Sequence, residues 1–212
     1  MCDIYILLFI KLIRFFFSMY IYMKILVTGC AGFIGSHLCE KLLKENYNVF
    51  GIDNINDYYS INQKYKNLEI LSKYKNFIFK KDDIVTTTII NEIKPEIVVN
   101  IAAMAGVRYS IENPNIYMKV NIEGQVNLLK QSVDNNVKLF VYASSSSVYG
   151  LNKKIPFSEE DKISKFNSPY AASKRSTELM AQLYNQLYGI KVIGLRFFTV
   201  YGPRGRPDMA PF

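Results

Sequence analysis

The chain has 212 residues, of which 50% are hydrophobic and 21% are charged, a composition that supports a packed core and excludes global disorder. Its 26 Lys and Arg against 18 Asp and Glu give a formal net charge of +8, which favours anionic partners without choosing among phosphates, nucleic acid and membrane surfaces. The single histidine, His37, excludes a histidine-rich site, and the three cysteines lack metal-ligand spacing, so we predict no metal. So few cysteines are typical of a reducing compartment, and we expect a cytoplasmic protein.

Residues 1–22 form an apolar extension that differs from the rest of the chain. The cations Lys11 and Arg14 interrupt the apolar run 4–22. The Ile, Leu and Phe residues of this run contribute about −4 to −7 kcal/mol of membrane-insertion free energy, and the two cations cost about +5 to +7 kcal/mol, so the sum is near zero. No small-residue cleavage site follows. Three interpretations stay open: an over-extended start with Met23 as the true beginning, a membrane anchor that would also be the only membrane contact, or an extra packed helix.

From Met23 onwards, predicted strands alternate with predicted helices. In chain order we predict a strand at 24–28, a helix at 33–46, strands at 49–52 and 77–79 with a polar stretch between them, a helix at 86–93, a strand at 97–101, a helix at 115–135, a strand at 139–143, a helix at 169–188 and a strand at 192–195. This alternation predicts an α/β fold with a doubly wound parallel sheet, in which 23–212 form one Rossmann-like domain.

The strongest local signal is the glycine loop TGCAGFIG at 28–35, between the first predicted strand and helix. Gly29 would permit the tight turn, Gly32 would let a pyrophosphate approach the helix N-terminus, and Gly35 would let the helix pack on the sheet. Asp53 ends the second predicted strand, where a carboxylate accepts hydrogen bonds from adenosine ribose hydroxyls and repels a 2′-phosphate. The pattern therefore predicts NAD rather than NADP, with a turn-forming role for Asp53 as the alternative.

A second signal is the pair Tyr170 and Lys174, which lie one turn apart on a predicted helix and share a face. A phenol has a pKa of about 10, and a neighbouring ammonium together with a positive nicotinamide ring would lower it and prepare Tyr170 to take a proton from a sugar hydroxyl. The serine run 144–147 directly follows the fifth predicted strand, at the sheet edge where ligands of open α/β folds bind. A chance pattern and a merely solvated serine loop are the alternatives.

At these motifs the chain resembles the extended short-chain dehydrogenase/reductases, specifically nucleotide-sugar epimerases of the UDP-glucuronate 4-epimerase type. The resemblance covers 23–212 and is carried, in order, by TGCAGFIGSHL (28–38), GIDNINDYY (51–59), NIAAMAGVRYSIENP (100–114), YASSSSVYG (142–150), SPYAASK (168–174) and LRFFTVYGPRGRP (195–207).

The resemblance implies the roles of individual residues. Tyr170 is the expected base, Lys174 its ribose-binding partner and Ser145 the hydroxyl that shares the substrate proton. The implied cofactor residues are Gly29, Gly32, Phe33, Ile34, Gly35, Asp53, Asn54, Asp83, Ile84, Ala102, Ala103, Asn121, Tyr170 and Lys174. The implied substrate residues are Arg108, Ser145, Ser146, Thr199 and Arg206.

The resemblance also implies a mechanism. Tyr170 would deprotonate the sugar 4-hydroxyl while C4 gives hydride to NAD, and the 4-keto intermediate would turn over and take hydride back on its other face. Related dehydratases carry an Asp-Glu pair just before the VYG element, and decarboxylases carry a Glu; this chain has Ser146 and Ser147 there, which favours epimerization. A uronate substrate needs a cation for its carboxylate, for which Arg206, Arg204 and Arg108 are candidates. The alternative is that these arginines meet a pyrophosphate or solvent.

Members of the resembled family are usually much longer, so we expect the C-terminal substrate lobe to be missing. We expect the N-terminal portion of an enzyme that converts UDP-glucuronate to UDP-galacturonate, and a homodimer through the helices after strands four and five if full length. The alternatives are an NAD-binding fragment without turnover, an epimerase for UDP-glucose and UDP-galactose, and a membrane-tethered partner of a complementing chain. Scattered basic residues and no recognition module argue against nucleic acid.

Overall fold

The computed structural model describes residues 23–161, 163 and 165–206. The predictions made for 1–22 lie outside these residues. Within the described part of the chain, no helix is both long enough and apolar enough to span a bilayer.

The described residues contain one sheet of six parallel strands, with bounds close to the predicted ones. The strands are β1 (Lys24–Thr28), β2 (Asn48–Asp53), β3 (Phe77–Lys81), β4 (Ile97–Asn100), β5 (Leu139–Ser145) and β6 (Val192–Phe197). Their order across the sheet is β3-β2-β1-β4-β5-β6, and every neighbouring pair is parallel. The strand order reverses between β1 and β4, which is where such sheets bind ligands. The predicted doubly wound, Rossmann-like fold is confirmed.

Helices cover both faces of the sheet. They are α1 (Phe33–Lys44), α2 (Ile61–Ser72), α3 (Ile89–Ile93), α4 (Val107–Glu112), α5 (Pro114–Tyr117), α6 (Gly124–Asp134) and α7 (Pro169–Tyr188), with a π-helical segment at Met118–Glu123 and a 3₁₀ turn at Ser146–Tyr149.

Consecutive strand residues are buried on opposite faces of the sheet, as in a sheet covered on both sides. Ile25 and Val27 of β1 pack with Leu42 of α1, whereas Leu26 packs with Leu128 of α6 and the elements around it. This two-sided core holds the carboxyl ends of the strands in a fixed arrangement.

Helix α7 has clear sequence signals at both ends. The Ser168 hydroxyl caps its N-terminus by accepting a hydrogen bond from the Ala171 N–H at 3.1 Å, and Pro169 occupies the first turn. Gly189 ends the helix in the left-handed conformation, with φ +70°. The predicted bounds of this helix are therefore correct.

Three predicted segments differ from the structure. Helix α2 lies in the stretch that was described from the sequence only as polar. It was missed because few of its side chains are buried, so it lacks an apolar periodicity. Helix α3 starts at Ile89 rather than residue 86, since the N–H groups of Thr86 and Thr87 turn back to the Asp83 carbonyl. The single helix predicted over 115–135 contains a π-helical segment, a feature that apolar periodicity does not reveal.

Candidate active site

A cavity opens at the carboxyl ends of β1, β2, β4 and β5, at the point where the strand order reverses. It brings together most of the residues singled out in the sequence. The predicted site residues that line it are Gly29, Gly32, Phe33, Ile34, Gly35, Asp53, Asn54, Ile84, Ala102, Ala103, Ser145, Tyr170, Lys174 and Arg206.

The glycine loop forms the wall between β1 and α1. Gly29 has φ +68°, and a Cβ there would lie 2.8 Å from the Ala102 nitrogen. At Gly35 a Cβ would lie within 2.1 Å of the Gly29 oxygen, so only glycine allows α1 to approach the loop this closely. Gly32 provides the N-cap of α1 without a side-chain cap, which leaves the first N–H groups of the helix available to an anion at the cavity.

Asp53, at the end of β2, is 8% exposed and holds the loop in place. One carboxylate oxygen accepts the Ala31 N–H at 3.2 Å and the other accepts the Ile55 N–H at 2.9 Å. A carboxylate has about four acceptor sites, so Asp53 keeps acceptor capacity toward the cavity.

Asp83 and Asn121 do not line the cavity but support residues that do. The Asp83 carboxylate accepts a hydrogen bond from the Asn54 side-chain amide at 3.0 Å. Asn121, in the π-helical segment, accepts the Met104 N–H at 2.8 Å and donates to the Met104 carbonyl at 3.0 Å. These bonds fix the loop after β4 that contributes Ala102 to the wall.

Ser145, Tyr170 and Lys174 meet at the opposite wall, where β5 ends beside the start of α7. Lys174 is 4% exposed, and its ammonium donates a hydrogen bond to the Ala143 carbonyl at 2.7 Å. Burial lowers the pKa of Lys174 from 10.5 to about 8. The neighbouring Ser144 hydroxyl donates a hydrogen bond to the Glu178 carboxylate at 2.6 Å. Of these two serines, Ser145 is therefore the one whose hydroxyl does not bind Glu178.

Among the chain's own groups, Lys174 is not one that lowers the pKa of Tyr170. Burial raises the pKa of this phenol above 10, and the groups that oppose the rise are Ser145, through a hydrogen bond, and Arg206, through its charge. The reason is that Tyr170 lies in a desolvated wall, which disfavours the phenolate.

Several cavity residues were missed in the sequence because they belong to α2 or the loop before it. Lys64 is buried, donates to the Asn56 side chain at 2.8 Å and lies 3.8 Å from the Asp53 carboxylate. Burial lowers the pKa of Lys64, and Asp53 opposes this. Tyr58 and Tyr59 lie under the Arg206 guanidinium, at 5.1 and 5.7 Å from the ring centroids. The sequence signal that could have identified these residues is the helical spacing of Lys64, Asn67 and Leu71, which form the buried face of α2.

The other predicted substrate residues lie outside the cavity lining. Arg108 is exposed on α4, and Ser146 is half-buried in the 3₁₀ turn. Thr199 is exposed between two cavity residues, Phe198 and Val200. Among the described residues, no group of His, Cys, Asp and Glu side chains could hold a metal ion.

Comparisons with known proteins agree with this geometry. Residues 25–211 match the model of the NAD dependent epimerase/dehydratase family. The chain is 54% identical to Protein CapI of Staphylococcus aureus, over 90% of this chain and 58% of that protein. It is 47% identical to UDP-glucuronate 4-epimerase 2 of Arabidopsis thaliana, over 89% of this chain and 44% of that protein.

Two solved structures are similar as well. The UDP-glucuronic acid 4-epimerase of Bacillus cereus in complex with UDP-glucuronic acid and NAD has a TM-score of 0.83 and 40% identity, over 89% of this chain and 60% of that one. The UDP-glucose 4-epimerase of Thermotoga maritima with UDP-glucose has a TM-score of 0.76 and 36% identity, over 86% and 57%. The chain thus spans less than two thirds of the length of these relatives.

Proposed function

Because the chain belongs to the NAD dependent epimerase/dehydratase family, we propose that it carries the cofactor-binding and catalytic residues of an NAD-dependent 4-epimerase of UDP-sugars, acting on UDP-glucuronate. The observation that carries the proposal is the single cavity that joins the glycine loop and Asp53 to Ser145, Tyr170 and Lys174. Relatives whose names state this activity support it.

The residues present fit NAD. The uncapped N-terminus of α1 beside Gly32 is suited to a pyrophosphate, and Asp53 retains acceptor sites for ribose hydroxyls. When bound, NAD supplies the oxidant that removes the hydrogen at the sugar C4 and later returns it. The buried carboxylate of Asp53 disfavours a 2′-phosphate at the same place, which supports NAD over NADP.

The chain's own groups would manage the proton. Tyr170 takes the proton of the sugar 4-hydroxyl as general base, and the Ser145 hydroxyl supports the phenolate by hydrogen bonding. With a pKa of about 8, Lys174 is mostly protonated near neutrality and supplies positive charge to this wall. Ser146 and Ser147 offer no carboxylate, so elimination chemistry lacks its acid and base here.

UDP-glucuronate is the proposed substrate because Arg206 brings a guanidinium into the cavity. The Arg206 guanidinium lies close enough to Tyr170 for its charge to lower the pKa of that phenol. A cation at this distance from the proposed base is well placed to bind a carboxylate on the sugar ring. UDP-glucose and UDP-galactose are the second candidates, supported by the similarity to the Thermotoga maritima enzyme.

The proposal is tested on the purified 212-residue chain by measuring bound NAD(H) after denaturation, then by incubating it with UDP-glucuronate and UDP-glucose and resolving the C4 epimers. We expect bound NAD and turnover of UDP-glucuronate. Turnover of UDP-glucose alone would overturn the uronate assignment, NAD without turnover would support the alternative of a binding fragment, and absence of NAD would contradict the cofactor proposal.

Tyr170→Phe is the matched test of the chemistry. It should reduce turnover by about 10²- to 10⁴-fold, the usual contribution of a general base, without loss of NAD. Tyr65→Phe, on the exposed side of α2, is the control and should leave both unchanged.

A further inference from the structure

The segment 200–206, which follows β6, contributes Val200 and Arg206 to the lining of the cavity, and we refer to it as the strap. It leaves the edge strand β6, yet its far end contacts α1, which packs beside β1 and β2 on the other half of the sheet. Arg206, at the end of the strap, lies in the cavity over the rings of Tyr58 and Tyr59.

Side-chain contacts of Arg204 join the strap to α1. Its guanidinium forms an ion pair with the Glu40 carboxylate at 2.7 Å and a hydrogen bond with His37 Nδ1 at 2.7 Å. The other ring nitrogen of His37, Nε2, lies 2.8 Å from the Pro203 carbonyl and 3.2 Å from Arg204 Nε, so the imidazole contacts both the strap backbone and the Arg204 side chain, with donor and acceptor roles set by its tautomer. The Arg204 side chain is mostly buried in this contact.

The backbone of Arg204 has a conformation that is unusual for an arginine. Its φ is +65°, in the left-handed region that disfavours residues with a Cβ. The turn around it is closed by a hydrogen bond from the Gly205 N–H to the Gly202 carbonyl at 3.1 Å. An arginine in a position better suited to glycine or asparagine persists when its side chain is held by its surroundings.

We propose that Arg204 is a positioning residue: its ion pair with Glu40 and its hydrogen bond with His37 anchor the strap to α1 and thereby hold the Arg206 guanidinium in the cavity, ready for an anionic group of the bound ligand. This consequence for ligand binding rests on the proposed function. Arg206 has a long side chain at the end of a glycine-containing turn, so preorganisation by the anchor reduces the conformational entropy lost on binding.

The test uses Arg204→Asn, because asparagine tolerates a left-handed backbone but is too short to reach Glu40. Arg204→Lys, which keeps the positive charge, is the conservative rescue. Lys44→Gln is the matched control, since Lys44 binds the other oxygen of the same Glu40 carboxylate at 2.7 Å and belongs to α1 rather than to the strap. Three quantities are measured on the 212-residue chain: amide hydrogen exchange over 200–206, the Kd for UDP-glucuronate with NAD present, and the midpoint of global unfolding.

In Arg204→Asn we expect faster exchange over the strap and a Kd for UDP-glucuronate raised about five- to tenfold, with partial recovery in Arg204→Lys. The midpoint of global unfolding of Arg204→Asn should match that of the parent. The Lys44→Gln variant should match the parent in all three quantities. These two comparisons separate positioning from general destabilisation. Unchanged strap exchange in Arg204→Asn overturns the anchor, and faster exchange with an unchanged Kd overturns its role in binding. If the parent chain binds neither NAD nor UDP-glucuronate, the proposed function fails, and the exchange data alone decide the anchor.

Discussion

The charge state of Lys174 is the main electrostatic consequence of burial at the catalytic wall. Its ammonium is enclosed by protein, its one hydrogen-bond acceptor among the described contacts is the Ala143 carbonyl, and its pKa falls to about 8. A lysine whose pKa is lower in the folded than in the unfolded state costs stability below the folded pKa. That cost disappears as the pH rises from about 8 to 10.5, because only the unfolded chain still binds the proton there.

We therefore expect Lys174→Met to increase the free energy of unfolding at pH 6 to 7, although it removes a catalytic group. Removal of the buried ammonium adds at most about 3 kcal/mol to the free energy of unfolding, at 1.36 kcal/mol per pKa unit. Loss of the hydrogen bond to Ala143 reduces this gain by about 1 kcal/mol. Denaturant unfolding between pH 6 and 10.5 should show the difference between variant and parent shrinking above pH 8. Lys66→Met, on the exposed side of α2, should show no such trend, and a pH-independent difference for Lys174→Met would contradict the lowered pKa.

Asp53 combines a structural with a proposed cofactor role, and Asp53→Asn tests the negative charge on which the cofactor role depends, at the expense of one of its two backbone hydrogen bonds. The amide keeps one acceptor oxygen but loses the negative charge and the repulsion of a 2′-phosphate. We expect NAD affinity to fall about tenfold, the loss of about one charge-assisted hydrogen bond, and the preference for NAD over NADP to narrow. Titration calorimetry with both dinucleotides measures this. Asp57→Asn, at an exposed position in the following loop, is the control, and an unchanged NAD to NADP ratio in Asp53→Asn would refute the ribose assignment.

At the level of the elements, the start of α7 fixes the position of the proposed base. Tyr170 occupies the first turn, directly after the cap that Ser168 forms with the Ala171 N–H. Loss of this cap by Ser168→Ala should cost about 1 kcal/mol of stability and loosen the turn that carries Tyr170. We expect a larger drop in turnover than in NAD binding.

Chemical denaturation and epimer analysis of Ser168→Ala check this expectation. Ser176→Ala is the control in the same helix, because the Ser176 hydroxyl only donates to the Ala172 carbonyl one turn earlier. It should change stability by less than about 0.5 kcal/mol. Equal effects of the two substitutions would show that the cap has no special role.

The elements also show where sequence patterns are sufficient. The strands and α1 were predictable because continuous apolar runs and glycine punctuation report burial directly. Helix α2 was not, since it is mostly exposed and its inner face carries Lys64 and Asn67 rather than a row of leucines. The π-helical segment was also missed, because it is defined by its backbone hydrogen bonds; the side chain of Asn121 there binds the Met104 backbone. Of the missed cavity residues, Lys64 lies in α2, and Tyr58 and Tyr59 lie in the loop before it.

In the whole molecule, the sheet order brings distant motifs to one edge. Gly29 after β1, Asp53 at the end of β2 and Ser145 at the end of β5 meet only because all strands are parallel and their carboxyl ends coincide. Parallel topology was predictable from the alternation of strands and helices. The anchor of Arg204 on Glu40 was not, because it depends on where a loop beyond the sheet returns.

The outer surface of α7 supports the last prediction, a homodimer through the helices after β4 and β5. Leu179, Leu183 and Leu187 recur along α7 at helical spacing with exposed fractions of 51%, 41% and 62%. Ile111 in α4 and Ile116 in α5 are also exposed. Surfaces with several large apolar side chains on neighbouring helices are typical of interfaces, and a second copy of the chain would cover both sets by twofold symmetry.

Leu183→Asp should convert such a dimer to a monomer by burying an unpaired charge at the interface, without lowering monomer stability, because the side chain is exposed in the single chain. Light scattering coupled to size-exclusion chromatography over a range of concentrations measures the mass of parent and variant. Leu151→Asp, at a leucine in the loop after the 3₁₀ turn that is 60% exposed, is the control and should leave the mass unchanged. A parent chain that is monomeric at every concentration would exclude this interface for the 212-residue protein, because α4, α5 and α7 are all present in it.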